Sequence, residues 1–139
     1  MNTNSASKFQ LGYSFMILFT GISLIIDPYE YFNSLFMKSQ ANFLNLNIMS
    51  HDQNESNRHF GIVVCVFFVF YFMSGFYNNS FFIKMSIFTR IFYGLINIIT
   101  VYLNLIPQQW LIAAIWDIIT ALITLKLILY DNKNKLKNN

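Results

Sequence analysis

The chain has 139 residues, of which 55% are hydrophobic, 19% aromatic and only 11% charged, whereas charged residues make up about a quarter of an ordinary soluble domain. Sixteen Phe and a mean hydropathy of +0.46 leave too little polar surface to cover a water-soluble fold, which excludes a disordered tail, a secreted disulfide scaffold and a free cytosolic enzyme. The net charge of +3 comes from Lys133, Lys135 and Lys137 in a polar tail, without the basic and aromatic patch that nucleic acid requires, and the single cysteine, Cys65, has no partner for an internal disulfide.

No charge falls between Lys8 and Asp27. That length crosses a bilayer core, so the first span is placed at 9–26. Asp27, Pro28 and Tyr29 follow it without a small-residue cleavage site, so it reads as a retained helix and not a signal peptide. An outer loop, 27–59, comes next. Asp27-Pro28-Tyr29-Glu30 has the form of a helix start, with an Asp cap and Pro at the first helical position. Tyr29, Phe32 and Phe36 then share one face, which predicts a short helix lying in the interface. Asp52-Gln53-Asn54-Glu55 repeats the capping pattern and starts the second helix about two turns above its membrane span, 60–77.

The segment after Arg90 carries no charge until Asp117, but Pro107, Gln108 and Gln109 break it as a turn. It divides into spans at 81–106 and 110–130, followed by a basic tail, 131–139. An Asp at a helix centre costs roughly 2.5 to 3.5 kcal/mol, and the Leu and Ile between Leu111 and Leu129 return roughly 3 to 6 kcal/mol, so the last helix still inserts. Trp110 and Tyr130 are expected as its interfacial anchors. Lys8, Lys84, Lys126 and the tail lysines fall on one side, against Lys38 and Arg58 on the other, which places both termini in the cytoplasm. The expected architecture is a single all-α domain, an up-down-up-down four-helix transmembrane bundle of the inner membrane, with the many Phe and Leu of the spans filling its core.

The third span carries Ser86, Arg90, Gly94, Asn97 and Asn104 on one face, and the fourth answers with Ala113, Ala114, Asp117, Thr120, Ala121 and Thr124. Small and hydroxyl residues are what close helix contacts in lipid use, so the plain reading of both stripes is a packing seam. An ion pair between Arg90 and Asp117 looks natural. Folding the hairpin about Pro107, however, sets the two roughly 12 Å apart in depth, and their side chains lean in opposite directions. The expected partners of Asp117 are therefore Asn97, Thr100 and Thr20, with Arg90 snorkelling to the cytoplasmic headgroups as an interfacial anchor.

An intramembrane carboxyl is costly and by default marks a site. Asp117 would serve proton-coupled transport or meet a quinone hydroxyl. The plain alternative is a hydrogen-bond partner between helices. Arg58 and His59, near His51, Asp52 and Glu55, form an outer mouth that would take an anionic group, but the histidine spacing matches no metal pattern and no metal is expected.

Small multidrug transporters share this size but place a Glu in the first span, where this chain has no acid. The chain resembles the DoxX-like group of small bacterial four-helix membrane proteins. The resemblance lies in Gly21 with Asp27-Pro28, Arg58 with Gly61, Tyr71, Arg90 and Asp117, and the chain departs from it at Phe67, Phe68 and Phe70, where the second span lacks a glycine-rich middle. It implies a membrane accessory subunit, sometimes tied to quinone-linked redox systems, with no catalytic residue to carry over. The expectation is a non-catalytic accessory subunit or lipophile-binding module, with the bilayer, a membrane-protein partner or a second copy as its contacts and no nucleic acid. The alternatives are a proton-coupled small-molecule carrier using Asp117 and a quinone-linked redox component, quinone being the one cofactor considered.

Overall fold

The computed structural model describes residues 4–47 and 54–137. Among them every regular element is a helix, and four of the helices are long and apolar enough to cross a membrane. Helix α1 spans Ser5–Ile26, and the Asn4 side chain accepts the Ser7 N–H at 2.9 Å to cap it. Asp27 ends it in an extended conformation and caps the next helix, accepting the Glu30 N–H at 3.1 Å, with Pro28 supplying a preset first turn. The interfacial helix is split. Helix α2, Pro28–Asn33, stops at Ser34, whose extended backbone and side-chain oxygen cap α3, Leu35–Phe43.

Helix α4 spans Asn54–Phe76, α5 spans Ser80–Tyr102 and α6 spans Trp110–Lys137. Arg58 and His59 therefore sit on the first turns of α4, the part of the helix expected to stand above its span. The expected third span ran to residue 106, but α5 stops at Tyr102 because Asn104 takes a left-handed conformation, φ 56°, ahead of Pro107. Asn45 and Asn78 end α3 and α4 the same way, at φ 55° and 51°. Asn is the residue besides glycine that visits this region most readily. Nothing in the tail breaks a helix, so α6 continues beyond Tyr130, and its Asp131 side chain accepts the Ala6 N–H of α1 at 3.1 Å.

Helix α1 packs chiefly against α4, and α5 against α6. A Cβ on Gly61 would lie 2.8 Å from the Gly21 carbonyl oxygen, so α1 and α4 touch backbone to backbone there. At the other end of the same pair the Ser7 hydroxyl donates to the Gly75 carbonyl. In the second pair a Cβ on Gly94 would lie 2.9 Å from Ile118 and 3.1 Å from the Ala114 carbonyl. Ser86, Gly94, Asn97, Ala114, Thr120, Ala121 and Thr124 are all buried, as a packing seam of small residues requires, while Asn104 is exposed in the turn.

Helices α2 and α3 cover one end of the bundle. Phe32 and Met37 are buried there with Leu24, Val64, Val101 and Ile112. Trp110, expected at the interface, is only 3% exposed. Its ring sits 5.4 Å from Phe32 and 5.2 Å from Phe60, and its indole N–H donates to Asn57 at 2.9 Å, so the α2 cover closes over it. The Gln108 side chain accepts the Asn47 N–H at 3.1 Å, which ties the chain beyond α3 to the turn before α6.

Candidate functional site

Arg90 does not snorkel. It is 1% exposed, the largest fully buried side chain among the described residues. Three helices supply its acceptors. Nε donates to the Ser86 carbonyl at 3.1 Å, and Nη2 donates to Gln10 Oε1 at 2.7 Å, Ser86 Oγ at 2.9 Å and Thr124 Oγ1 at 3.1 Å. The guanidinium carbon stands 4.7 Å from the centre of the Tyr13 ring and 5.4 Å from that of Tyr71. A buried cation without such partners would be driven to water. Here Gln10 and the two rings, all from α1 and α4, hold it inside.

The partner of Asp117 differs from expectation. Tyr13 Oη donates to Asp117 Oδ1 at 2.6 Å. Tyr13 thus carries the guanidinium against its ring and the carboxylate on its hydroxyl, linking the two charges that the hairpin keeps apart. Asn97 is buried in α5 and does not bond Asp117. Thr100 donates to the carbonyls of Ile96 and Asn97 in its own helix, at 2.9 and 3.1 Å. Thr20 accepts from Tyr31 Oη at 3.4 Å. Of that expected cluster, Asp117 and Thr20 share one cavity wall, and Asn97 and Thr100 do not reach it.

Sequence reading assigned no site role to Gln10 or Tyr13, and Tyr71 entered only through the family resemblance. A signal existed in α1. Ser7, Gln10 and Ser14 recur at helical spacing, and all three are buried, so this polar stripe faces the bundle as the stripes of α5 and α6 do. The spacing could not give the pairing of that stripe with Arg90.

The core is not filled. A cavity of about 220 Å³ lies between α1, α4, α5 and α6 beneath α2 and α3. Its lining includes Tyr13, Tyr71, Arg90 and Asp117 from the long helices, and Tyr31, Phe32, Phe36 and Met37 from α2 and α3. Phe67, Tyr93, Trp110 and Trp116 line it as well. Both charged groups line the cavity, but Asp117 is partly exposed, whereas Arg90 is buried, with Nη1 the one guanidinium nitrogen that has no hydrogen-bond partner. Burial holds the Tyr31 hydroxyl above its ordinary titration range, which keeps it a neutral donor to Thr20. A second cavity, about 210 Å³, lies between α4 and α5, shares Phe67, Tyr71 and Thr89 with the first, and is bordered by the exposed Phe70, Phe82 and Met85.

At the outer mouth Arg58 and His59 are both exposed, with Arg58 Nη2 3.4 Å from the Ile26 carbonyl. His51 and Asp52 lie outside the described residues, as does the side chain of Glu55. No family model, no curated protein and no solved structure matches the chain.

Proposed function

We propose that the protein is a small multi-pass inner-membrane protein, a non-catalytic module that holds one lipophilic molecule between its helices, by itself or as the accessory subunit of a larger membrane complex of the DoxX-like sort. The observation that carries this reading is the cavity beneath α2 and α3. An apolar cavity of about 150 Å³ is enough for a benzene ring, and this one is larger, aromatic-walled and furnished with few polar groups, as small-molecule sites are. Contacts between opposite ends of α1 and α4, Ser7 with Gly75 and Gly21 with Gly61, support the up-down-up-down arrangement. The lysine distribution supports cytoplasmic termini.

The test is native mass spectrometry and an absorbance spectrum of the protein extracted in mild detergent. The expected result is a stoichiometric apolar adduct that is lost on harsher delipidation. A colourless protein without an adduct, unchanged on addition of lipid extract, overturns the reading, and a quinone spectrum would favour the redox component instead. Asp117 on the cavity wall favours a second reading, a proton-coupled carrier. That reading expects substrate-driven proton movement in proteoliposomes, abolished by Asp117→Asn.

A further inference from the structure

We infer that the molecule held in this cavity is a lipophilic cation, an organic amine or quaternary ammonium of small cross-section. This inference rests on the lipophile-binding reading and names the chemistry of its ligand.

Two charged groups line the cavity, and they are not equivalent. Arg90 spends its Nε and Nη2 donors on Ser86, Gln10 and Thr124, lies against two tyrosine rings and is 1% exposed. Its remaining nitrogen, Nη1, has no hydrogen-bond partner but is itself buried, so a bound anion could reach it only by opening the packing around the guanidinium. Asp117 is partly exposed, Oδ1 accepts from Tyr13 and the other oxygen has no hydrogen-bond partner. The charge on offer to a ligand is therefore negative.

The walls agree with the sign. Rings that Arg90 does not engage, those of Tyr31, Phe36, Tyr93 and Trp116, line the same space as Asp117. Aromatic faces attract cations, and an aromatic enclosure with a carboxylate is the arrangement that holds substituted ammonium groups. An apolar anion or an alcohol would gain nothing from these faces beyond burial of its own apolar surface. Tyr31 and Phe36 come from α2 and α3, so the interfacial segment contributes ligand-binding rings and is more than a cover.

The experiment uses the full chain in neutral phosphatidylcholine nanodiscs, titrated separately with decyltrimethylammonium, decanol and decanoate. The readout is built in, because both tryptophans of the chain, Trp110 and Trp116, line the cavity. The ammonium probe is expected to change their emission at concentrations roughly tenfold or more below decanol. In Asp117→Asn, which keeps an acceptor for Tyr13, the two probes should converge. Partition into lipid is the same for both proteins and cancels in that comparison. Equal potency of ammonium and alcohol on the wild-type protein would overturn the cation inference and leave the cavity reading standing. So would a preference for decanoate, which would assign the site to Arg90. If no probe changes the emission, both readings fail. The wild-type ranking decides the matter even if the variant does not fold.

Discussion

At the scale of single residues, the chain buries an arginine among neutral partners from four helices. Depth and side-chain lean assigned Arg90 to the headgroups, and that argument considered only its own hairpin. Gln10, Tyr13 and Tyr71 come from the other pair of long helices, and a partner there changes the balance from snorkelling to burial. Removing the guanidinium should therefore be expensive. Arg90→Ala strips the donor from Gln10, Ser86 and Thr124 and leaves a void, and a loss of about 3–5 kcal/mol is expected, read as a large fall in Tm in detergent. Tyr13→Phe keeps the ring beside Arg90 and removes the hydroxyl that bonds Asp117 and meets Thr120. About 1–3 kcal/mol is expected for it. A Tyr13→Phe loss equal to that of Arg90→Ala would show that the hydroxyl, and not the guanidinium, organises this centre. That Asp117 needed explaining was legible in the sequence. That its partner is a tyrosine of α1 was not, because spacing defines which residues share a face and says nothing about which face meets it.

At the scale of elements, helix ends were readable wherever a side chain enforces them. Asp27 with Pro28 and the turn at Pro107 fall where the sequence put them. The break at Ser34 was missed: serine is a favoured N-cap, but no proline or glycine marks the break, and the extended backbone there separates α2 from α3. The close contacts allow a sharp contrast between two glycines on paired helices. Gly61→Val forces atoms into the Gly21 carbonyl, 2.8 Å from the Cβ position, and should separate α1 from α4, lowering Tm by many degrees. Gly12→Ala meets nothing within 4 Å and gains helix propensity, so Tm should hold or rise by the equivalent of about 0.5–1 kcal/mol. A thermal-shift series on the two variants checks both. Equal effects would mean that the α1–α4 contact is looser than its geometry.

At the scale of the whole molecule, the outside is as apolar as the inside. Phe19, Phe81 and Phe88 are each more than 60% exposed, a surface that water would not tolerate and lipid requires. Composition alone made this much legible, since the few charges mark where the apolar stretches end. The cavity was not legible, because a count of large rings cannot tell whether they meet or hold one another apart. The proposed orientation has a direct check. With Cys65 replaced by serine, a cysteine at Ser39 should react with a membrane-impermeant maleimide in intact spheroplasts, and one at Asn134 only after permeabilisation. The reverse pattern would invert the protein.

The pairing of α1 with α4 and of α5 with α6 bears on how the chain is made. Each pair consists of neighbouring membrane-length segments, so the first hairpin can close its glycine contact while the second is still on the ribosome. The polar groups then sort themselves by half. Gln10, Tyr13 and Tyr71 arrive with the first hairpin, and Arg90, Asp117 and Thr124 with the second. Until the halves meet, an arginine and an aspartate stand in lipid with no partner outside their own hairpin, and that unmet demand is a force toward docking that apolar surfaces cannot supply within a bilayer. The two charges, whose partners lie in the other hairpin, thus favour the docked bundle over its separate halves.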